Sequence, residues 1–214
     1  MDAIILESVS KYFKKQKVLD STSITFEKGK IHGIIGSNGS GKTVLFKIIC
    51  GLLSPSEGIV KVNGCAVGHD RDFAPDTGII IENPNFISFQ SGFQNLKDLA
   101  SISKKVDEEQ IKEAMQRVGL DASDRKPVSK YSMGMRQRLG IAQAIMENPS
   151  LLILDEPMNG LDKKGVKDIR ELLLSLREEG KTILIASHYA EDIQILCDTV
   201  CEMEGGILTK ISGW

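Results

Sequence analysis

The sequence predicts an α/β fold in which a mostly parallel sheet is flanked by helices. Four short apolar runs, at residues 31–35, 78–81, 151–154 and 182–187, alternate with longer stretches of helical period. Buried parallel strands have such near-continuous apolar runs, and helices cover both faces of the sheet. A sheet-plus-helix chain of 214 residues can bury one substantial core. We therefore expect a single domain over residues 1–214.

Three stretches show the spacing of amphipathic helices. Residues 165–180 place apolar side chains on one stripe and end at Gly180, the residue type that favours a left-handed helix end. Residues 107–120 repeat the pattern between Asp107, a good N-cap, and Gly119. The third helix follows a glycine-rich stretch, and its predicted apolar stripe is Val44, Leu45, Ile48, Ile49 and Leu52.

An antiparallel β layer accompanies the parallel sheet near the amino terminus. Residues 57–68 alternate polar and apolar side chains around Asn63-Gly64, a strong short signal for a β-hairpin. A second hairpin is expected at the carboxyl terminus, in residues 205–214.

Composition excludes several classes of function. Lysine plus arginine number 27 and aspartate plus glutamate 29, so the net charge gives no bulk attraction for nucleic acid. The amino terminus lacks a basic-then-apolar signal, and the longest apolar runs are far shorter than the roughly 20 residues that span a bilayer. We expect a cytoplasmic protein with no nucleic-acid partner.

The four cysteines, Cys50, Cys65, Cys197 and Cys201, lie in apolar stretches without a CxxC pair. Buried, reduced thiols are the expected state. Cys197 and Cys201 are four residues apart and are predicted to share a helix face, which leaves a metal site open, although no histidine lies near them in the sequence.

Each of the four central apolar runs stops at a residue that can do chemistry. The runs end at Gly36, at Glu82, at the adjacent acids Asp155 and Glu156, and at His188. Ligands of open α/β sheets bind beyond the carboxyl ends of the strands. The four ends therefore predict one site.

The first of these ends begins the stretch GSNGSGKT, which matches the phosphate-binding pattern G-x-x-x-x-G-K-[ST]. In this pattern backbone amides surround phosphate oxygens at a helix N-terminus. Lys42 is expected to bridge the terminal phosphates, and the Thr43 hydroxyl to hold Mg²⁺. A flexible Gly/Ser loop is the alternative. The predicted nucleotide-binding residues of the loop are Gly36, Ser37, Asn38, Gly39, Ser40, Gly41, Lys42 and Thr43.

The acids after the third run predict hydrolysis of the bound nucleotide. Asp155 is expected to orient Mg²⁺ through its water shell, and Glu156 to polarise the water that attacks the γ-phosphate. Acids that merely end a buried strand at the surface are the alternative.

The motifs YSMGMRQRL, LLILDEP, NGLD and SH follow the glycine loop in this order, and the sequence thereby resembles the ATPase subunits of ABC transporters over almost its whole length. The resemblance implies a RecA-like P-loop NTPase fold with ATP and Mg²⁺ as cofactors. It implies a catalytic core with the β layer at residues 1–82 and 149–214, and a helical subdomain at 83–148 that carries the signature loop.

The resemblance also implies roles for individual residues. Ser132 and Gly134 belong to a signature loop that contacts ATP held by a second copy of the chain, and residues 159 to 162, ending in Asp162, cross the interface between the copies. His188 is the switch histidine, which donates to the γ-phosphate. Tyr12 stacks on adenine with Val18 nearby, although an aromatic in an alternating strand is usually a core residue.

Two departures from the family pattern are present. Glu82 replaces the usual glutamine and is expected to serve the metal while it brings negative charge toward the phosphates. Met133 and Met135 replace a glycine and a glutamine of the signature. Both departures resemble the bacterial subgroup that exports, or confers resistance to, peptides of the bacitracin and lantibiotic kind. That resemblance implies a separate transmembrane permease and a location on the inner face of the membrane.

Three aromatic residues, Phe86, Phe89 and Phe93, follow Glu82 closely. We expect them to help form the groove for a cytoplasmic helix of the permease, with packing in the helical core as the alternative. Alternatives for the whole chain are a soluble ABC protein that acts on ribosomes or DNA, a nucleotide kinase or GTPase, and a module that holds ATP without turnover.

Overall fold

The structure is a computed structural model and describes residues 1–14, 16–82 and 84–211. Residue 83, where the helical subdomain is predicted to begin, and residues 212–214 of the predicted terminal hairpin lie outside these ranges. The strands are β1 (Asp2–Phe13), β2 (Gln16–Glu27), β3 (Ile31–Ile35), β4 (Glu57–Val62), β5 (Cys65–Ala66), β6 (Thr77–Ile80), β7 (Leu151–Asp155), β8 (Thr182–Ala186), β9 (Thr199–Glu204) and β10 (Ile207–Lys210). The α-helices are α1 (Lys42–Cys50), α2 (Gly92–Ser103), α3 (Glu108–Arg117), α4 (Met133–Ile145), α5 (Lys163–Glu178) and α6 (Ala190–Leu196).

The predicted parallel sheet is confirmed. Six strands run in the order β10-β9-β3-β8-β7-β6, and every pair is parallel except the edge pair of β9 and β10. That pair is the predicted terminal hairpin, which turns at Gly205 and Gly206. The strands β3, β8, β7 and β6 are consecutive neighbours, so their carboxyl ends meet at one edge of the sheet.

Both faces of this sheet are buried, which explains the continuous apolar runs. On β8, Ile183 and Ile185 belong to a core that includes α3, α4 and α5. Leu184 and Ala186 face the opposite way and pack with α1 and the antiparallel strands. Since successive strand residues point to opposite faces, a strand buried on both sides has no solvent-facing position along its length.

The amino-terminal β layer is a separate four-stranded sheet with the order β2-β1-β4-β5. Its predicted turn between β4 and β5 is confirmed. Asn63 and Gly64 have φ values of 49° and 83°, the left-handed conformation that both central residues of a type I′ turn need. Val60 and Val62 are buried beneath the layer, and this packs the sheet onto α1.

The predicted helices are present, with one error at an end. A capping box between Asp107 and Gln110 starts α3, and Gly180 follows α5 with a φ of 84°. Helix α1 ends at Cys50 because Gly51 adopts a left-handed φ of 85° and its amide donates to the carbonyl of Ile48. Leu52 therefore leaves the predicted stripe and is 49% exposed.

The predicted helix face shared by Cys197 and Cys201 is wrong. Cys197 ends α6 in an extended conformation, and Cys201 lies on β9, paired with Ile34 of β3. The thiols are free, and burial raises the pKa of Cys50 and of Cys197 to about 12. Cys65 and Cys197 are only partly buried.

Candidate active site

A cavity of about 430 Å³ lies where β3, β6 and β7 end and α1 begins. Several of the predicted site residues line it together, although they come from distant parts of the sequence. Its lining is Val18, Asn38, Gly39, Gly41, Lys42, Thr43, Val44, Glu82, Gln137, Asp155, Glu156 and Asn159. Segments that follow three of the four predicted strand ends thus line one cavity. His188, after β8, is not part of the lining but contacts Glu156, which is.

The glycines of the loop between β3 and α1 are required for two different reasons. A Cβ on Gly36 would lie 2.3 Å from the carbonyl oxygen of Met203, and one on Gly41 would lie 3.0 Å from that of Val18. A Cβ on Gly39 would have no atom within 4 Å, yet its φ of 80° favours glycine. The loop thus needs glycine in order to pack against β9 and β2, as well as to expose its amides to a ligand.

Lys42 is held in the loop by the backbone. Its Nζ donates to the carbonyl oxygens of Gly36 at 2.7 Å and of Ser37 at 3.0 Å, and the residue is only 8% exposed. The hydroxyl of Ser40 is buried in the same loop and has no hydrogen-bond partner among the residues that the structure describes. A buried cation and a free buried donor fit the oxygens of a phosphate chain.

Thr43 and Asp155 form the oxygen-rich part of the cavity. The Thr43 hydroxyl donates to Asp155 Oδ2 at 2.6 Å, across 112 positions of the sequence. Asp155 is 8% exposed at the end of β7. Carboxylate and hydroxyl oxygens are the ligands that Mg²⁺ prefers, so this pair fits the predicted metal position.

Glu156 and His188 are joined by a direct contact. Glu156 Oε2 lies 2.7 Å from His188 Nδ1 and accepts from the His188 backbone amide at 3.3 Å. Glu156 has a φ of 52°, a left-handed conformation that costs a residue with a side chain about 1–3 kcal/mol. Its amide donates to the carbonyl of Ala186 at 2.9 Å. The neighbouring strand thus holds the backbone turn that aims this carboxylate into the cavity.

Glu82 lines the cavity from the end of β6. It too has a left-handed φ, 62°, and its Oε1 lies 2.6 Å from Lys47 Nζ on α1. The carboxyl side chain is 63% exposed, so solvent weakens the ion pair. The pair places the Lys47 ammonium group beside Glu82, the residue that replaces the usual glutamine of the family.

Some predicted site residues lie outside this cavity. Ser132 is the N-cap of α4 and accepts from the Met135 amide at 3.2 Å, while Asp162 is the N-cap of α5. A Cβ on Gly134 would lie 3.0 Å from the carbonyl of Gly160, so the signature loop packs on the loop that precedes α5. The ring of Tyr12 lies 5.6 Å from Lys17 Nζ and outside the cavity lining, although Val18 lines it.

Sequence reasoning missed two residues. Gln137 is buried on α4, and its Nε2 donates to the carbonyl of Pro157 at 3.0 Å and to that of Glu156 at 3.4 Å. It therefore braces the turn that presents the candidate base. Lys47, the partner of Glu82, was the second. No local pattern marks either residue, because each contact joins elements far apart in the sequence.

Comparison with known proteins places this chain in a family. The family model described as ABC transporter matches residues 19–159. The chain belongs to the ABC transporter family. It is an ATP-binding ABC ATPase, and the predicted identity is confirmed. Among the residues that the structure describes, no helix is both long and apolar enough to cross a bilayer.

Curated relatives carry more specific names. The uncharacterized ABC transporter ATP-binding protein YybJ of Bacillus subtilis is 46% identical over 201 residues, which cover 94% of this chain and 92% of YybJ. The bacitracin transport ATP-binding protein BcrA of Enterococcus faecalis is 40% identical, over 95% of this chain and 67% of BcrA. The lantibiotic transport ATP-binding protein SrtF of Streptococcus pyogenes is 37% identical, over 91% of this chain and 84% of SrtF.

Solved ABC cassettes have the same fold. A dimeric post-hydrolysis state of MJ0796 bound to ADP and Pi has a TM-score of 0.87, with 22% identity over 99% of this chain and 100% of that one. The cbiO1 protein of Clostridium perfringens, part of a cbiONQ transporter complex, has a TM-score of 0.82 and 28% identity, over 97% of this chain and 86% of its own.

Proposed function

We propose that this ABC ATPase binds and hydrolyses MgATP at an interface between two of its copies and so drives a separate membrane permease. The observation that carries the proposal is the meeting of Lys42, Thr43, Asp155 and Glu156 on one cavity at the edge of the sheet. A phosphate cradle, metal ligands and a general base in one cavity are the parts that phosphoryl transfer to water needs.

In this proposal the loop amides and Lys42 hold the β- and γ-phosphates. Thr43, Asp155 and Glu82 would hold Mg²⁺, which supplies neutralisation of phosphate charge when bound. Asp155 already accepts the Thr43 hydroxyl bond at 2.6 Å. This contact holds the Thr43 and Asp155 side chains together before the metal binds, and Glu82 lines the same cavity from the end of β6.

Glu156 acts as general base and His188 as its neighbour at the γ-phosphate. A neutral imidazole that donates from Nδ1 to Glu156 presents an acceptor, not a donor, at Nε2. For His188 to donate to the γ-phosphate, as the resemblance implies, the ring must either be protonated or release Glu156. In the proposed mechanism both ring nitrogens carry protons, so the contact with Glu156 at 2.7 Å is kept while Nε2 donates to the γ-phosphate.

A second copy completes each site. Ser132, Gly134 and Asp162 lie outside the cavity of their own chain, and the first two sit at the start of α4, where free amides attract anions. The MJ0796 cassette, which has the same fold, is described as dimeric in a post-hydrolysis state bound to ADP and Pi. In the dimer that we propose, this surface faces the nucleotide of the partner. We also propose the division into a core of residues 1–82 and 149–214 and a helical part of residues 83–148.

The permease is proposed to be an exporter of antimicrobial peptides or related substrates. BcrA and SrtF, named for bacitracin and lantibiotic transport, are 40% and 37% identical to this chain. The ATPase would then lie on the cytoplasmic face of the membrane, bound through the permease. The test is reconstitution with the membrane protein encoded beside it: bacitracin or a lantibiotic should stimulate its ATPase activity in lipid nanodiscs.

Phe89 is the aromatic residue that best fits contact with the permease. It is 80% exposed, whereas Phe86 and Phe93 are partly buried against the helical core. The alternative of core packing therefore fits Phe86 and Phe93, whereas the proposed permease contact fits Phe89. An exposed aromatic gains more from an interface than a buried one.

We expect Phe89→Ala to abolish peptide-stimulated ATPase activity of the complex while the isolated subunit keeps its basal rate. Phe86→Ala should lower thermal stability instead, because it leaves a gap in the core. The exposed aromatic Phe73, 60% exposed on the segment after β5, supplies a control variant, Phe73→Ala. Unchanged stimulation in Phe89→Ala would assign the permease contact elsewhere.

Glu82 provides a separate prediction about the metal. Glu82→Gln removes a charged ligand, so the Mg²⁺ concentration for half-maximal activity should rise roughly three- to tenfold. Binding of ATP in EDTA should tighten about twofold, because a negative charge beside the phosphates is removed. Metal titration and calorimetry measure the two effects. Glu7→Gln, in the exposed pair with Lys61, is the control, and an unaltered Mg²⁺ dependence would show that Glu82 is not a ligand.

A further inference from the structure

A buried carboxylate lies behind the loop that carries His188. Asp192 on α6 is 1% exposed, and its Oδ2 accepts the hydroxyl of Ser187 at 2.9 Å in a bond that is itself buried. Its Oδ1 accepts from Arg170 on α5, from Nε at 2.9 Å and from Nη2 at 2.6 Å. Both carboxyl oxygens of Asp192 are thus occupied.

Ser187 connects the Asp192 carboxylate to the backbone of the next two residues. Its Oγ, while donating to Asp192, accepts the amide of Tyr189 at 3.1 Å. This bond spans His188 and closes a local turn of the kind that serine hydroxyls form. Within the turn, the His188 amide and ring both contact Glu156 Oε2. The direction of the imidazole is therefore set from two sides.

Folding stability gives only a weak reason for the buried ion pair of Arg170 with Asp192. Buried ion pairs can often be replaced by apolar residues of similar size without loss of stability, whereas removing one partner alone leaves an uncompensated charge. The Arg170 side chain is 14% exposed, and one of its nitrogens also contacts the exposed Glu191. An apolar contact between α5 and α6 could hold the two helices together equally well, so stability alone does not explain this polar network.

We propose that Arg170, Asp192 and Ser187 are positioning residues that fix His188 against Glu156. The proposal rests on the proposed function, in which these two residues meet the γ-phosphate and its water. Arg170 lies on α5, the helix that starts at Asp162 beside the partner-facing loop. The same helix thus connects the contact with the second copy to the orientation of the imidazole.

The test compares two variants that remove the anchor in different ways. Ser187→Ala deletes one oxygen, and the double variant Arg170→Met with Asp192→Leu replaces the ion pair by apolar side chains. Both should lower kcat on the order of tenfold, as small misplacements of catalytic groups do, while KM for ATP stays within about twofold. Adding Ser187→Ala to the double variant should cause no further loss of kcat, because all three substitutions break the same series of hydrogen bonds.

A second readout needs no nucleotide. Hydrogen exchange of the amides of His188 and Tyr189 should accelerate in both variants. Ser187→Ala removes the acceptor of the Tyr189 amide, the double variant removes the carboxylate that fixes this acceptor, and either change loosens the turn that holds both amides. The control is Arg117→Met with Glu179→Gln, which removes the 2.6 Å pair between α3 and the end of α5 and should leave both readouts unchanged.

Three results separate the possibilities. Should both anchor variants keep normal kcat and exchange while His188→Ala loses turnover, the positioning role is refuted and the proposed function stands. Should His188→Ala hydrolyse ATP at the normal rate, the proposed role of this residue is refuted first. If the double variant does not fold, Ser187→Ala alone decides, since it removes a single buried atom.

Discussion

Glu156→Gln is expected to retain ATP and lose its hydrolysis. A general base contributes about 10²- to 10⁴-fold to a rate, so kcat should fall within that range. The amide of glutamine keeps the size of the side chain and still offers an oxygen to His188 Nδ1, which now contacts the carboxylate at 2.7 Å. Only the charge and the basicity are removed, and the dissociation constant for ATP should change by less than about threefold.

The same variant should accumulate a complex of two copies. If ATP bridges the copies and hydrolysis separates them, blocking hydrolysis holds the closed state. Sedimentation velocity with Mg²⁺ and ATP should then show a species of twice the monomer mass, which disappears when ATP is replaced by ADP. A species of this kind in the unmodified protein should be transient.

Glu171→Gln is a matched control for this experiment. Glu171 lies on the exposed face of α5, where its carboxyl oxygen is 3.8 Å from Lys167 Nζ, and its neutralisation should change neither turnover nor sedimentation. Near-normal hydrolysis in Glu156→Gln would disprove the assignment of the base. It would leave the nucleotide site itself intact, because the phosphate cradle is tested separately at Lys42.

The central sheet and the place of the site could be predicted because buried strands have a strong local signature. The run that ends at Asp155 is wholly apolar, and the runs that end at Gly36 and His188 are apolar apart from His32, Thr182 and Ser187. The rule that ligands bind beyond the strand ends needs no tertiary detail. The helix starting at Asp107 was equally readable, since its capping box involves residues only three apart.

Long-range polar contacts were beyond such reasoning. Arg170 and Asp192 are 22 residues apart, and Gln137 reaches Pro157 over 20 positions. Nothing in either local pattern distinguishes these side chains from ordinary surface residues. The error at Cys197 and Cys201 has the same origin: a spacing of four favours a helix, but the chain leaves α6 and enters β9 between them, where the sheet provides the stronger pairing.

The glycine loop shows a third limit of prediction from sequence. The motif predicts that side chains are absent in order to admit phosphate. Of the three glycines in the loop, only Gly39 could take a Cβ without an atom of the described residues within 4 Å. At Gly36 and Gly41 the backbones of neighbouring strands occupy the space of a Cβ. The pattern thus records the packing of the loop on β9 and β2 together with ligand binding, and a sequence cannot separate the two.

Lys42→Ala is expected to lose ATP affinity by roughly 10²-fold or more, the cost of removing one partner of a buried charge contact. In the structure the ammonium group is held by the carbonyls of Gly36 and Ser37. It is therefore already desolvated and aimed along the loop before nucleotide arrives. The large loss follows from this preorganisation, because the protein has met the cost of burying the cation in advance.

Stability must be measured beside affinity, since two carbonyl oxygens lose their donor in this variant. The change in unfolding free energy should be about 1 kcal/mol, so thermal denaturation should still show a cooperative transition. Lys112→Ala, in the exposed pair with Glu109 at 2.6 Å, is the matched control for loss of one positive charge. If a folded Lys42→Ala protein bound ATP with normal affinity, the proposed role of Lys42 in phosphate binding would be wrong. No other lysine lines the cavity in the part of the chain that the structure describes, so none could replace it.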